Sequence, residues 1–239
     1  MSTDESNFDG PTRIEPEELP LEPEAFADRM IEEVDAYIEH YGLDSARFDA
    51  DLSEDEMREG LYTRIFNEIK AIDHPREMLD TAEDPQVFIH LLKQIEDEAK
   101  HARMLAQRLW NLGGEPEKVF ERAADSTVEF WELFDDREDI VDKAAVLQSG
   151  AEHMAQYRHP KELEFYDDET AAIYADVIVP EEQFHAKIGK NVFRTHCRDE
   201  GSQRRALQSA RVGRDQIRTF HDRGVTDAYN AGEDVADAD

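Results

Sequence analysis

Two Glu-x-x-His steps, Glu98-Ala-Lys-His101 and Glu182-Gln-Phe-His185, each follow a glutamate thirty residues upstream, Glu68 and Glu152. Positions i and i+3 share a helix face, so each step presents a carboxylate beside an imidazole. Carboxylate oxygens suit hard ions such as iron or manganese, and imidazole adds a neutral donor. Four carboxylates and two imidazoles on four helices are the ligand set of a di-iron or di-manganese centre in a four-helix bundle. Glu98 and Glu182 would bridge the metals, His101 and His185 would each cap one, and Glu68 and Glu152 would be terminal. Four carboxylates balance two divalent ions, and buried charges must be paired or metal-bound.

The elements that would carry these residues can be placed from pattern alone. Ser53-Glu-Asp-Glu56 is a capping box that opens a helix carrying Leu61, Ile65, Ile69 and Ile72. Asp84-Pro85 is an N-cap followed by proline at the first helical position, and Val87, Leu91, Ile95, Ala102, Leu105 and Leu109 continue to Gly113-Gly114. A third helix from about Arg137 carries Val141, Ala145, Gln148 and Ala155, and a fourth covers 168–197 with Ile178, Val192 and Phe193. In antiparallel helices, residues equidistant from the turn lie level with each other. The midpoint of Glu68 and Glu98 is residue 83, inside Thr81-Ala-Glu-Asp-Pro85, and that of Glu152 and Glu182 is 167, inside Tyr166-Asp-Asp-Glu-Thr170. Both are turn-like. Each pair then meets about four turns from its hairpin's closed end.

Outside this set, 22–41 reads as a helix through Phe26, Met30, Val34, Tyr37, Ile38 and Tyr41, followed by a polar link over 44–51. Residues 116–136 form a helical connection rich in aromatics (Phe120, Phe130, Trp131, Phe134), and 202–222 a last helix with Leu207, Ala210, Ile217 and Phe220. No segment reads as a strand, so the expectation is an all-α chain. Its organisation is an acidic, Pro-punctuated arm (1–21), disordered or loosely docked, a helical domain (22–222) and an acidic tail (223–239).

The formal charge of -31 runs along the whole chain, as in proteins adapted to a salt-rich, halophilic cytoplasm. No basic stripe offsets repulsion from phosphate, which disfavours nucleic acid. Cys197 is the single cysteine, excluding an intrachain disulfide and a thiolate cluster. The start has no basic, apolar leader and no run reaches membrane-spanning length; the expectation is a soluble, cytoplasmic protein with no membrane partner.

Blander readings compete at every position. In so acidic a chain a single glutamate is most simply a solvated surface charge, and a single histidine a hydrogen-bonded helix residue. The doubled pattern on apolar faces is what favours metal. His153, about 100° around the helix from Glu152, is a neighbour of the site or a surface residue. Pro75, Pro160 and Pro180 mark either kinks or helix boundaries. Gln94, Gln148 and Tyr62 are candidates to lie near the site, which spacing alone does not decide. His196 and Cys197, like Trp110, Trp131 and Phe134, read as packing.

The run Lys93-Gln-Ile-Glu-Asp-Glu98-Ala-Lys-His101, its helix ending at Leu112-Gly113, resembles the Asp-Glu-Ala-x-His helix of ferritin-like di-iron monooxygenases. Asn67-Glu68-Ile69 and Pro180-Glu-Glu182-Gln-Phe-His185 resemble that family's first and last ligand helices. The similarity covers roughly 55–200 and is greatest to the catalytic subunit of the ring-epoxidising phenylacetyl-CoA oxygenase. It implies a ferritin-like four-helix bundle with added N- and C-terminal helices, and Glu68, Glu98, His101, Glu152, Glu182 and His185 as iron ligands. It also implies an oxidoreductase of phenylacetic acid catabolism type, in which two irons use O2 to insert one oxygen atom into a small organic substrate, such as an aryl- or acyl-CoA thioester. Electrons would come from a separate flavin/iron–sulfur reductase, and the chain would work as a homo- or hetero-oligomer. The same ligand pattern occurs in tRNA-hydroxylating, quinone-hydroxylating and rubrerythrin-type proteins. A ferroxidase or peroxide-reducing iron protein, and a non-catalytic subunit of an oxygenase, therefore stand as alternatives.

Overall fold

A computed structural model describes residues 12–43, 46, 48, 50–135 and 137–236, and their side chains up to 219 except 126 and 133. Residues 1–11 of the arm, parts of the link over 44–51, the Phe220 side chain and the last three residues of the tail lie outside the described residues. The described residues are helical throughout, without a strand. They form α1 (Pro23–Tyr41), α2 (Glu54–Met78), α3 (Pro85–Asn111), α4 (Val119–Arg122), α5 (Asp125–Asp135), α6 (Ile140–Val146), α7 (His153–Glu162), α8 (Asp168–Ile173), α9 (Val179–His196) and α10 (Glu200–Ala236).

Local chemistry sets the helix ends. Ser53 accepts from the Glu56 amide while Glu56 reaches back to the Ser53 amide, closing the capping box that starts α2. Asp84 accepts from the amides of Gln86 and Val87 ahead of α3, and Asp167 does the same for Glu169 and Thr170 ahead of α8. The third rod starts at Asp139, whose side chain caps Val141, rather than at Arg137.

Two π segments interrupt otherwise unbroken helical runs. Leu147–Glu152 joins α6 to α7, and Tyr174–Ile178 joins α8 to α9. A π turn inserts a residue and rotates the helix beyond it, and such turns recur where helices carry functional groups. The first contains Glu152 itself. The second ends four residues before Glu182 and leads into Pro180, which enters α9 at its first turn. Pro75 and Pro160 lie inside α2 and α7, close to their C-terminal ends, so all three prolines fall in the last or first turn of a helix.

α2 packs along α3, and α9 packs against α3, α7 and the first π segment. At Gly189 on α9 an added Cβ would lie 2.4 Å from Ser149 Oγ and 3.2 Å from both Gln148 Cβ and the Ser149 amide nitrogen, so glycine eases this approach of α9 to the π segment. Apolar side chains form three clusters, the smallest joining Val34, Tyr37, Ile38, Leu43, Met154 and Ile217, and the two larger ones form layers. One joins Phe26, Met30, Met78, Val87, Leu91, Ile188 and Val192; the other joins Leu61, Ile65, Leu105, Leu109, Trp131, Leu147 and Ile178. Along α3 the order is Val87 and Leu91, then buried Gln94, Asp97, Glu98 and His101, then Leu105 and Leu109. A polar belt therefore lies between two apolar layers.

Several expectations change. Residues 12–21 are not loose: Ile14 and Leu19 enter the core and the Ile14 amide donates to Glu33 Oε2 at 2.7 Å. The aromatic connection breaks into a short 3-10 turn, α4 and α5. The last helix extends through 223–236, part of the acidic tail. Trp131 and Phe134 are core, but Trp110 is 65% exposed. It follows Leu109 by one residue, about 100° off the buried stripe, and angular position outweighs size. No described helix is long and apolar enough to cross a membrane.

Candidate metal centre

The six residues picked out by spacing meet in the polar belt, and all are buried. α2 supplies Glu68, α3 supplies Glu98 and His101, the first π segment supplies Glu152, and α9 supplies Glu182 and His185. Their ligand atoms sort into two groups, Glu68 with Glu98, His101 and Glu182, and Glu98 with Glu152, Glu182 and His185. Within each group these atoms lie within 4.8 Å of one another, and each group can hold a metal ion. Glu98 and Glu182 belong to both groups, while each histidine and each of Glu68 and Glu152 belongs to one.

Both imidazoles turn Nδ1 inward. His101 Nδ1 lies 3.2 Å from Glu68 Oε2 and 3.4 Å from Glu98 Oε2; His185 Nδ1 lies 3.0 Å from Glu98 Oε1 and 3.3 Å from Glu182 Oε2. Their Nε2 atoms point outward to a second pair of carboxylates. His101 Nε2 donates to Glu181 Oε2 at 2.8 Å, and His185 Nε2 to Asp97 Oδ2 at 3.3 Å. The residue before Glu98 thus holds the histidine of α9, and the residue before Glu182 holds the histidine of α3. Such an outer acceptor fixes the tautomer and leaves the inner nitrogen free for a metal. Lys93 pairs with Asp97, and Lys100 with Glu181.

Asp97 and Glu181 escape the spacing argument. The doublets Asp97-Glu98 and Glu181-Glu182 are visible, but which way the first member of each faces depends on helix rotation. Gln94 is close to the site, donating to Glu152 Oε1 at 3.0 Å and accepting from Gln148 Nε2 at 3.1 Å. Tyr62 is not; its hydroxyl accepts from the Glu115 amide. His153 faces α1, with Nε2 2.6 Å from Asp35 Oδ1. Burial pushes the Cys197 thiol up to about 12, consistent with packing rather than reactivity.

Electrostatics shows how the chain alone balances the belt. Burial, reinforced by Glu98, pushes the Glu68 carboxyl up to about 8, against hydrogen bonding from His101. Burial and then Glu182 raise Glu152 well above the carboxylate range. Glu98 and Glu182 remain low because, against burial, the histidines and a hydrogen bond from Glu152 favour their charged forms. His101 rises to about 11 and His185 rises also, since their carboxylate neighbours outweigh burial. Protons on Glu68, Glu152, His101 and His185 thus balance a site whose donors equally fit two divalent ions. Hard carboxylate oxygens with one inward nitrogen per group are donors that a metal ion can use.

A cavity of about 160 Å³ opens on the centre. Glu68, Glu98, Glu152 and Glu182 form part of its wall, and Phe130, Trp131, Leu147, Ala151 and Met154 form an apolar part. No protein-family model matches the chain, and no curated protein matches it.

Proposed function

We propose that the chain is a di-iron, O2-activating monooxygenase acting on an organic substrate, with Glu68, Glu98, His101, Glu152, Glu182 and His185 as its metal ligands. In this reading α2, α3, α6–α7 and α8–α9 are the rods of a ferritin-like four-helix bundle, to which α1 and α10 are additions. The observation that carries it is the cavity: the carboxylates that would hold the metals also face an apolar space able to receive a substrate. An iron-storage or ferroxidase centre needs no such space.

The residues divide the work by position. Glu98 and Glu182 belong to both groups and would bridge, while Glu68 with His101, and Glu152 with His185, would each complete one side. Asp97 and Glu181 hold the imidazoles with Nδ1 inward, and Gln94 steadies Glu152. Phe130 and Trp131 give the cavity an apolar surface against which a substrate can pack. A metal pair held by these residues would supply O2 reduction, a reaction that places one oxygen atom in the substrate and the other in water and consumes two electrons and two protons. Those electrons would come from a separate reductase, and the substrate class would extend to aryl or acyl compounds.

The test is O2 uptake by anaerobically iron-loaded protein given a chemical reductant and an aromatic substrate. The expected result is uptake matched by a hydroxylated or epoxidised product. Absence of uptake, or uptake matched only by iron oxidation, overturns the oxygenase reading.

A further inference from the structure

Beside the metal centre the same cavity has a second polar feature. Arg64 on α2, and Arg158 and His159 on α7, line its wall. Both guanidinium groups converge on Glu162, which is fully buried: Arg64 Nη2 donates to its Oε2 at 2.8 Å, and Arg158 Nε lies 3.2 Å from its Oε1. Tyr166 donates to the same carboxylate at 3.2 Å. His159 Nδ1 lies 3.1 Å from it but adds no charge, because burial, with Arg64 and Arg158 acting in the same sense, pushes this imidazole down to about 4. A guanidinium presents five N–H donors in a planar fork, so it can hold one carboxylate along one edge and a second along another. Against the single charge of Glu162 the two groups leave one positive charge at this part of the wall, which favours an anion there once metal balances the four site glutamates.

Position and size narrow the anion. Arg64 precedes Glu68 by four residues and Arg158 follows Glu152 by six, offsets of about 6 and 9 Å along their helices. Both lead to the same cluster around Glu162. The cavity is open on one side and has room for one aromatic ring: its volume of about 160 Å³ compares with about 150 Å³ for an engineered cavity that holds benzene. Trp131 and Phe130 supply aromatic surface.

We propose that the substrate is a compact, single-ring molecule carrying a carboxylate, held at that group by Arg64 and Arg158 with its ring against Trp131 and facing the site glutamates. This rests on the oxygenase reading and narrows it. The coenzyme A thioester of a simple aryl monocarboxylic acid has no carboxylate at its acyl end and would offer the two guanidinium groups no anion there.

The test uses Trp110→Phe protein, in which Trp131 is the one remaining tryptophan, loaded with Mn(II) and with metal content measured on each sample. Benzoate and its neutral counterpart benzamide are titrated against Trp131 fluorescence. Benzoate should bind about tenfold more tightly or better, the worth of one charge-assisted hydrogen bond. Adding Arg158→Gln, which leaves Arg64 paired with Glu162, should bring the two ligands within about twofold, whereas Arg158→Lys should keep much of the preference. Equal binding of the two ligands, binding of neither, or a preference that survives Arg158→Gln (carboxylate binding to metal alone) overturns the substrate class while leaving a metal-loaded centre intact. Failure to load metal rejects the centre and this inference with it.

Discussion

Glu33 on α1 and Glu98 on α3 are each 1% exposed, but they keep different company. Around Glu33 the chain supplies its own cations. Arg214 Nη2 donates at 2.5 Å, Arg211 Nε at 2.9 Å, and the Ile14 amide at 2.7 Å. Burial alone would raise this carboxyl, and the two arginines overcome it, so Glu33 stays below the usual range. Around Glu98 stand three more glutamates and two histidines, and it is the histidines that hold its carboxyl low against burial. The first arrangement is complete within the chain. The second achieves balance only with protons or with cations from outside, which separates a structural ion pair from a binding site.

That contrast makes its sharpest demand at Glu33. Glu33→Ala leaves Arg214 buried beside Arg211 and should cost about 3–5 kcal/mol in urea unfolding, with or without metal. An effect that appears only in metal-loaded protein would break the distinction. At the metal centre the dependence reverses. Free metal at a thousand times its Kd should stabilise the wild type by about 4 kcal/mol, while Glu98→Ala and Glu182→Ala, each missing from both groups, should show no such gain. Thermal unfolding with and without Mn(II) measures this.

A smaller effect belongs to the outer carboxylates. Asp97→Ala removes the acceptor of His185 Nε2 and should weaken metal binding about 10–100-fold, as second partners of ligating histidines generally do. Competition with a chelator reads this directly, and an unchanged affinity would reduce Asp97 to the ion-pair partner of Lys93. The gentlest probe is pH. Because the folded Glu33 pKa lies below its ordinary 4.5, its contribution is fully present above that value and is lost as pH falls through the lower folded value. Unfolding free energy should drop over that acid range in the wild type, with a smaller drop in Glu33→Gln.

The centre was largely legible in the sequence because helical hairpins turn separation along the chain into height along a rod. Glu68 and Glu98 are equidistant from residue 83, and Glu152 and Glu182 from 167, so turn residues alone bring each pair level. The capping signals at Ser53 and Asp84 work equally locally. What could not be read depends on rotation and on distant packing. The π turns carry no residue signature, yet they set the facing of Glu152 and Glu182. Asp97 and Glu181 each lie one residue from a candidate ligand and reach the histidine of the opposite rod. Arg64 and Glu162 are 98 residues apart, and nothing in their spacing links them. Trp110 shows the converse, a large apolar residue that one helical step places in solvent.

The most direct test is elemental analysis of the purified protein after anaerobic reconstitution with Fe(II) and, separately, Mn(II), followed by desalting. The six buried donors in two overlapping groups predict about two ions per chain for either metal, lost in Glu98→Ala and Glu182→Ala. A wild-type chain that retains neither metal, or variants that retain as much as the wild type, would contradict the account.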